Sequence, residues 1–152
     1  MKKYLFTFLS ALVIGFFLGN FFLKQYNDFN GIKVSNVGET LYFIQYGTFS
    51  NLEELEDNTI NLQNYVYNEQ DNLYYVYVGI TKLKENAEKI VKHYNNLGYE
   101  VIIKEFEISN KNFIDVLNNY DEVLKSTDDE TTISSIVNQV LSKYEEVVIN
   151  GS

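Results

Sequence analysis

Few side chains in this 152-residue chain could break bonds: the acids Glu53, Glu54, Glu56 and Asp57, the single His93, and Ser50. Carboxylates this close could hold a cation or share a proton, but on a helix they fan around the solvated side, so a charged surface is expected. His93 lies between Lys92 and Tyr94, off the apolar stripe of its segment, and is expected to be exposed. With no second His and no Cys, the chain has no imidazole pair or thiolate for a metal and no thiol nucleophile. Ser50 has no base near it and reads as a helix cap. No enzyme, metal or cofactor is expected. A second set of residues suits recognition instead of reaction: Phe43, Gln45 and Gly47 in one apolar run, and Tyr75 and Tyr77 in another.

The composition narrows what such a set can recognise. There are 12 basic residues, all Lys, against 21 acids, for a net charge of −9. An acidic chain without Arg lacks the clustered cations that a phosphate backbone needs, so nucleic acid is excluded as a partner. No Cys also means no disulfides.

Residues 4–23 carry no charge and are mostly Leu, Phe, Val, Ile, Ala and Gly. At about 1.5 Å per residue a helix of this length spans roughly 30 Å, the thickness of the hydrocarbon core of a bilayer. Lys2, Lys3 and the amino terminus form the stronger positive flank, which stays inside and sends the rest of the chain outward. A cleaved signal peptide shares the basic start and apolar run. Gly19-Asn20-Phe21-Phe22-Leu23-Lys24 offers no small-x-small cleavage site, so residues 1–23 are read as a retained single-pass anchor of the cell membrane, N-terminus cytoplasmic. Residues 24–39 mix Asn, Gly, Asp and Lys without periodicity and form a linker with a mean reach of about 20–25 Å. From residue 24 onward ten Lys face all 21 acids, a charge of −11, which favours neutral or cationic partners over anionic lipid.

A folded unit follows. Residues 41–49 read as a strand, and Ser50-Asn51-Leu52-Glu53 as a capping box opening a helix with Leu52, Leu55, Thr59 and Leu62 on one face. Residues 65–67 form a short second strand, residues 68–72 a polar turn, and residues 73–78 a third strand. Leu83, Ala87, Ile90, Val91, Tyr94 and Leu97 recur at helical spacing, with Gly98 at the left-handed cap, and residues 99–108 make the fourth strand. The order is βαββαβ, and at an offset of 32 residues Tyr42-Phe43-Ile44-Gln45-Tyr46-Gly47 lies over Tyr74-Tyr75-Val76-Tyr77-Val78-Gly79. The fold class expected is α+β: a ferredoxin-like four-stranded antiparallel sheet, both helices on one face and the other face open.

Tyr42-Phe43-Ile44-Gln45-Tyr46-Gly47-Thr48-Phe49 resembles the hydrophobic-Gln-x-Gly-Ser-Phe opening of the SPOR (sporulation-related repeat) domain. Tyr75-Val76-Tyr77-Val78-Gly79 resembles its second repeat, with Tyr77 where that family often has Arg or Lys. Glu85-Asn86-Ala87 and Leu97-Gly98-Tyr99 match the start and end of its second helix. The resemblance covers residues 40–108. It implies non-catalytic binding of peptidoglycan glycan strands stripped of their stem peptides, in cell division or sporulation, and it points to Gln45, Thr48 and Ser50.

Strand alternation places Phe43, Gln45, Gly47, Tyr75 and Tyr77 on the open face if Ile44, Tyr46, Val76 and Val78 face the helices; Ile102 and Lys104 join them on the fourth strand. Sugars suit that surface: C–H faces stack on rings, and hydroxyl and N-acetyl groups pair with an amide. Gly47 would allow close backbone approach. The alternative is that residues 109–152 cover these rings and the module docks a protein of the envelope. In that extension Phe113, Val116, Leu117, Tyr120 and Leu124 form one helical stripe. Residues 127–130 form a capping box, and Ile133, Ile136, Val137, Val140, Leu141, Tyr144 and Val147 form a second stripe. These helices either fold back on the domain or serve self-association or a protein partner. Exposure of Gln45, Tyr75 and Tyr77 favours the glycan; a face plugged by residues 111–148 favours the protein.

Overall fold

The computed structural model describes residues 38–150. The expected anchor of residues 1–23 and nearly all of the expected linker lie outside the described residues. Among those described, no helix is long and apolar enough to cross a membrane.

The aromatic and β-branched runs form strands β1 (Glu39–Phe49), β2 (Val66–Gln70), β3 (Leu73–Thr81) and β4 (Ile102–Ile108). They pair antiparallel in the order β2-β3-β1-β4, with helices α1 (Leu52–Thr59) and α2 (Lys84–Asn96) interposed in the βαββαβ sequence. The last expected linker residue, Glu39, already pairs with Ile108.

Three boundaries differ from the sequence expectation, each for a local reason. Residues 68–70 belong to β2, because Asp71 and Asn72, at φ 53° and 59°, suffice as a two-residue turn. β4 begins at Ile102 and not at residue 99, since α2 closes in a Schellman motif that uses those residues. Tyr99 N–H donates to the Tyr94 carbonyl and Gly98 N–H to that of Asn95, both at 3.0 Å, with Gly98 at φ 89°. The cap of α1 shifts by one: Asn51 accepts from Glu54 N–H, and the Glu54 carboxylate reaches back to Ser50 N–H and Oγ at 2.9 and 2.6 Å. Those bonds hold the Glu54 carboxyl below its ordinary value.

The two faces of the sheet carry different neighbours. Gly79 and Ile44 lie against Ile90 of α2, while Phe49 and Val76 pack with Leu55 of α1. Phe43, one residue from Ile44, points the opposite way and meets the rings of Tyr77 and Phe106.

Residues 109–150 fold back as α3 (Lys111–Ser126), α4 (Glu130–Tyr144) and a π-helical turn (Glu145–Ile149). α3 and α4 pack on each other, α3 reaches α2, and α4 reaches α2 and β3. Their stripes are buried within this chain at Phe113, Leu117, Leu124, Ile133, Val137, Val140 and Leu141. Lys89 of α2 donates to the Leu124 carbonyl at the end of α3, at 3.0 Å. Asn64 donates to the Asn138 carbonyl of α4 at 3.1 Å.

Candidate functional site

The sheet face opposite α1 and α2 is where the candidate residues gather, but it is not open along its length. Tyr144, at the end of α4, stands edge-on to Phe43 at 5.5 Å and to Phe113 at 5.2 Å. Phe43 and Tyr77 are therefore buried, 3% and 6% exposed, where the alternation alone leaves them outward. Burial raises the hydroxyl pKa of Tyr77, with Tyr144 and Tyr75 adding to it, and burial likewise raises that of Tyr144. Both hydroxyls stay protonated at neutral pH.

What remains is a groove of about 290 Å³ between the sheet and the π-helical turn. Phe43, Tyr77 and Val66 form its floor, Phe106, Tyr144 and Ile149 its walls, and Asn68 lies at its rim. Edge-to-face contacts at 5.1–5.8 Å link Phe43, Tyr77 and Phe106. Phe106 is 40% exposed, and Ile102 and Lys104 are exposed beside it on β4. With Tyr67 and Glu107 also in its lining, the groove offers rings, one amide and one acidic residue, a surface that can stack on an apolar face and hydrogen-bond at its edge.

The other candidates are placed differently. Gln45 is buried and donates its amide to Thr48 Oγ1 at 3.0 Å, so it supports β1 and does not present a free amide. Thr48 is exposed and Tyr75, its cross-strand partner, is half-buried; neither lines the groove. Gly47 is turned to the helix side. Register shifts on both sides of Gln45 leave Tyr46 and Val78 as extra residues, and the bulge breaks the alternation from which an outward Gly47 follows. A Cβ on Gly47 would come within 2.7 Å of the Phe49 ring, the ring that packs under α1. Ser50 is spent on the α1 cap.

Phe106 and Tyr144 are absent from the sequence-based set. Extending the Ile102, Lys104 alternation by two residues gives Phe106. Tyr144 sits in the second stripe, but a stripe does not say which surface it meets.

Glu53, Glu54, Glu56 and Asp57 are exposed around α1, and among the described residues no group of acids and His could hold a metal. His93 is buried, 5% exposed, contrary to the expectation, because its Nδ1 meets the Glu130 carboxylate of α4. Asn96 also donates to Glu130, at 3.2 Å. The His93 hydrogen bond, then Asn96 and the charges of His93 and Lys92, hold the Glu130 carboxyl below its ordinary 4.5 against desolvation. A depressed folded pKa stabilises above the unfolded value, and that stabilisation is lost as pH falls through the folded one. The seam between α2 and α4 should therefore loosen below pH 4.5. Protection of the amides at the start of α4, taken relative to the free-chain exchange rate at the same pH, should fall there, and in Glu130→Gln it should be low both above and below pH 4.5.

No protein-family model matches the chain, and no curated protein matches it. One similar solved structure is that of the peptidoglycan binding domain of the B. subtilis cell wall lytic enzyme CwlC. It is 22% identical, with a TM-score of 0.39, over 45% of this chain and 91% of that one.

Proposed function

We propose that this protein binds peptidoglycan glycan strands without turning them over, from a single-pass anchor that places the domain outside the cell membrane. The observation that carries the reading is the aromatic groove of Phe43, Tyr77, Phe106 and Tyr144, with Asn68 at its rim. Its rings can stack on pyranose C–H faces, and among the described residues that line it there is no cation to select a phosphate. The SPOR-like sequence of residues 40–108 supports the same ligand, in its stem-peptide-free form, and a setting in division or sporulation. The apolar residues 4–23 behind Lys2 and Lys3 support the anchor and its orientation.

A second reading is the one that burial favours: Gln45 and Tyr77 are 8% and 6% exposed, where the glycan reading expects both on an open face. Tyr144 already occupies the Phe43 ring, so the face accepts a helix-borne aromatic side chain. In that reading it is a docking surface of an envelope complex and takes no sugar.

The test is retention of the full chain, in detergent, on purified sacculi before and after an amidase removes the stem peptides. Phe106→Ala is the informative variant, because Phe106 lines the groove yet is exposed enough to be replaced without opening the core. Glycan binding predicts retention that rises after amidase and falls about tenfold in the variant, the loss of roughly 1.4 kcal/mol of contact. No retention under either condition would leave the docking reading.

A further inference from the structure

A larger cleft lies apart from the sheet groove. It holds about 960 Å³ between the C-terminal end of α2, residues 61–63 and the outer side of α4. From Thr131 to Ser142 the chain carries no charged side chain. Ser134, Ser135, Asn138, Gln139 and Ser142 from that stretch line the cleft. Exposed helix faces are ordinarily laced with charge, all the more in a protein of net charge −9. The charged groups at the rim are already paired, Glu130 with His93 and Lys143 with Glu146 at 2.6 Å.

The opposite wall is aromatic. Tyr94 and Tyr99 stand edge-to-face at 6.2 Å, with the exposed Leu97 beside them. The Tyr94 hydroxyl is pushed up to about 12 by burial and then by Tyr99, and it donates to the Val78 carbonyl at 3.0 Å. Gln63 ties residues 61–63 to α4. Its Oε1 accepts from Ser134 Oγ at 3.0 Å and from Asn138 Nδ2 at 2.9 Å, which turns its NH₂ group away from them.

We infer that this cleft is a second binding site, for a neutral saccharide bearing N-acetyl groups. The inference does not rest on the sheet-groove reading. Gln139 is tied to Ser135 and Tyr120, which leaves the Gln63 NH₂ group to donate and Asn138 Oδ1 to accept, as sugar hydroxyls and acetamides require, while the half-buried Tyr99 ring and the exposed Leu97 supply the platform for C–H faces. Among the described lining residues only Lys143 brings an ammonium, and it is paired with Glu146 while the Glu130 carboxylate opposes an anion. A peptide finds no strand edge, because helical and turn backbones form the walls. The volume lies at the upper end of small-ligand sites and suits several linked rings.

The experiment is an amide NMR titration of the full chain in detergent micelles with an N-acetylglucosamine tetramer, a glucose tetramer and a neutral tetrapeptide. The N-acetylated tetramer should give saturable shifts at Gln63, Asn138 and Gln139. Ser135→Lys, an exposed position that puts bulk and charge into the cleft, should weaken it at least tenfold, and Phe106→Ala should not. Equal binding of the peptide, indifference to Ser135→Lys, or no saturable shift would overturn the proposal. Shifts confined to Asn68 and Phe106 would overturn it too, while supporting the sheet groove; shifts confined to the cleft would do the reverse.

Discussion

Replacing Asp121 by Ala is expected to cost about 3–5 kcal/mol of folding stability, a large part of the total for a domain of this size. Asp121 is 4% exposed and belongs to α3, yet its carboxyl group serves β3 and α2. It accepts from the Thr81 hydroxyl, from Lys82 N–H at 2.8 Å and from Asn86 Nδ2 at 3.0 Å. Asn86 Nδ2 also donates to the Asp121 carbonyl at 3.0 Å. The end of a central strand, the start of a helix and the middle of the extension thus meet at one side chain. Ala removes the acceptor while Thr81 and Asn86 stay buried, and each stranded donor costs about 1–3 kcal/mol. Asp121→Asn keeps one acceptor oxygen but turns an NH₂ toward donors, so it should be destabilised too, by less. Asn118→Ala is the control: Asn118 is exposed, binds only the Lys82 ammonium at 2.7 Å, and should change stability by under about 0.5 kcal/mol. Urea unfolding followed by tyrosine fluorescence would rank the three. A loss below about 1 kcal/mol in Asp121→Ala would mean that the extension is not locked through this residue.

The same anchor separates what could be read from the sequence from what could not. Short-range physics was legible. The strands of Tyr, Ile and Val, the stripe from Ala87 to Tyr94 closed at Gly98, and the two stripes of the extension all appear as elements. Polar edge residues were harder: Asn68, Glu69 and Gln70 look like a turn by composition, and they form strand because β3 supplies their partners. The bulge that turns Gly47 over is invisible to alternation, since one extra residue inverts every position after it. Long-range contacts were least legible. His93 is off the stripe of α2 and would be solvated, were Glu130 not carried to it by α4. The sheet face expected to take glycan follows the same logic. Alternation correctly aims Phe43 and Tyr77 away from α1 and α2, but only the folded chain shows that Tyr144 stands over them.

Phe43 carries the other large effect, because it is at once core and groove floor. Its ring is 3% exposed and makes edge-to-face contacts with Tyr77, Phe106 and Tyr144 at 5.3, 5.1 and 5.5 Å. Each such pair is worth about 0.5–1.5 kcal/mol beyond the area it buries, and truncating a buried Phe costs about 3–5 kcal/mol in all. The void left by Phe43→Ala would open into the groove of about 290 Å³, so water or Tyr144 can relax into it. That places the expected loss near the lower end, about 3 kcal/mol. Phe43→Leu keeps most of the volume but gives up all three ring pairs, and should cost about 1.5–2.5 kcal/mol. Function should not follow stability along this series. If the rings are the platform, Phe43→Leu loses sacculus retention nearly as far as Phe43→Ala while remaining well folded. Tyr144→Ala then loses it as well, because a wall is gone. If Tyr144 is instead a plug, Tyr144→Ala raises retention above the parent protein. Thermal unfolding and sacculus retention measured on the same preparations therefore decide whether the extension builds the groove or blocks it.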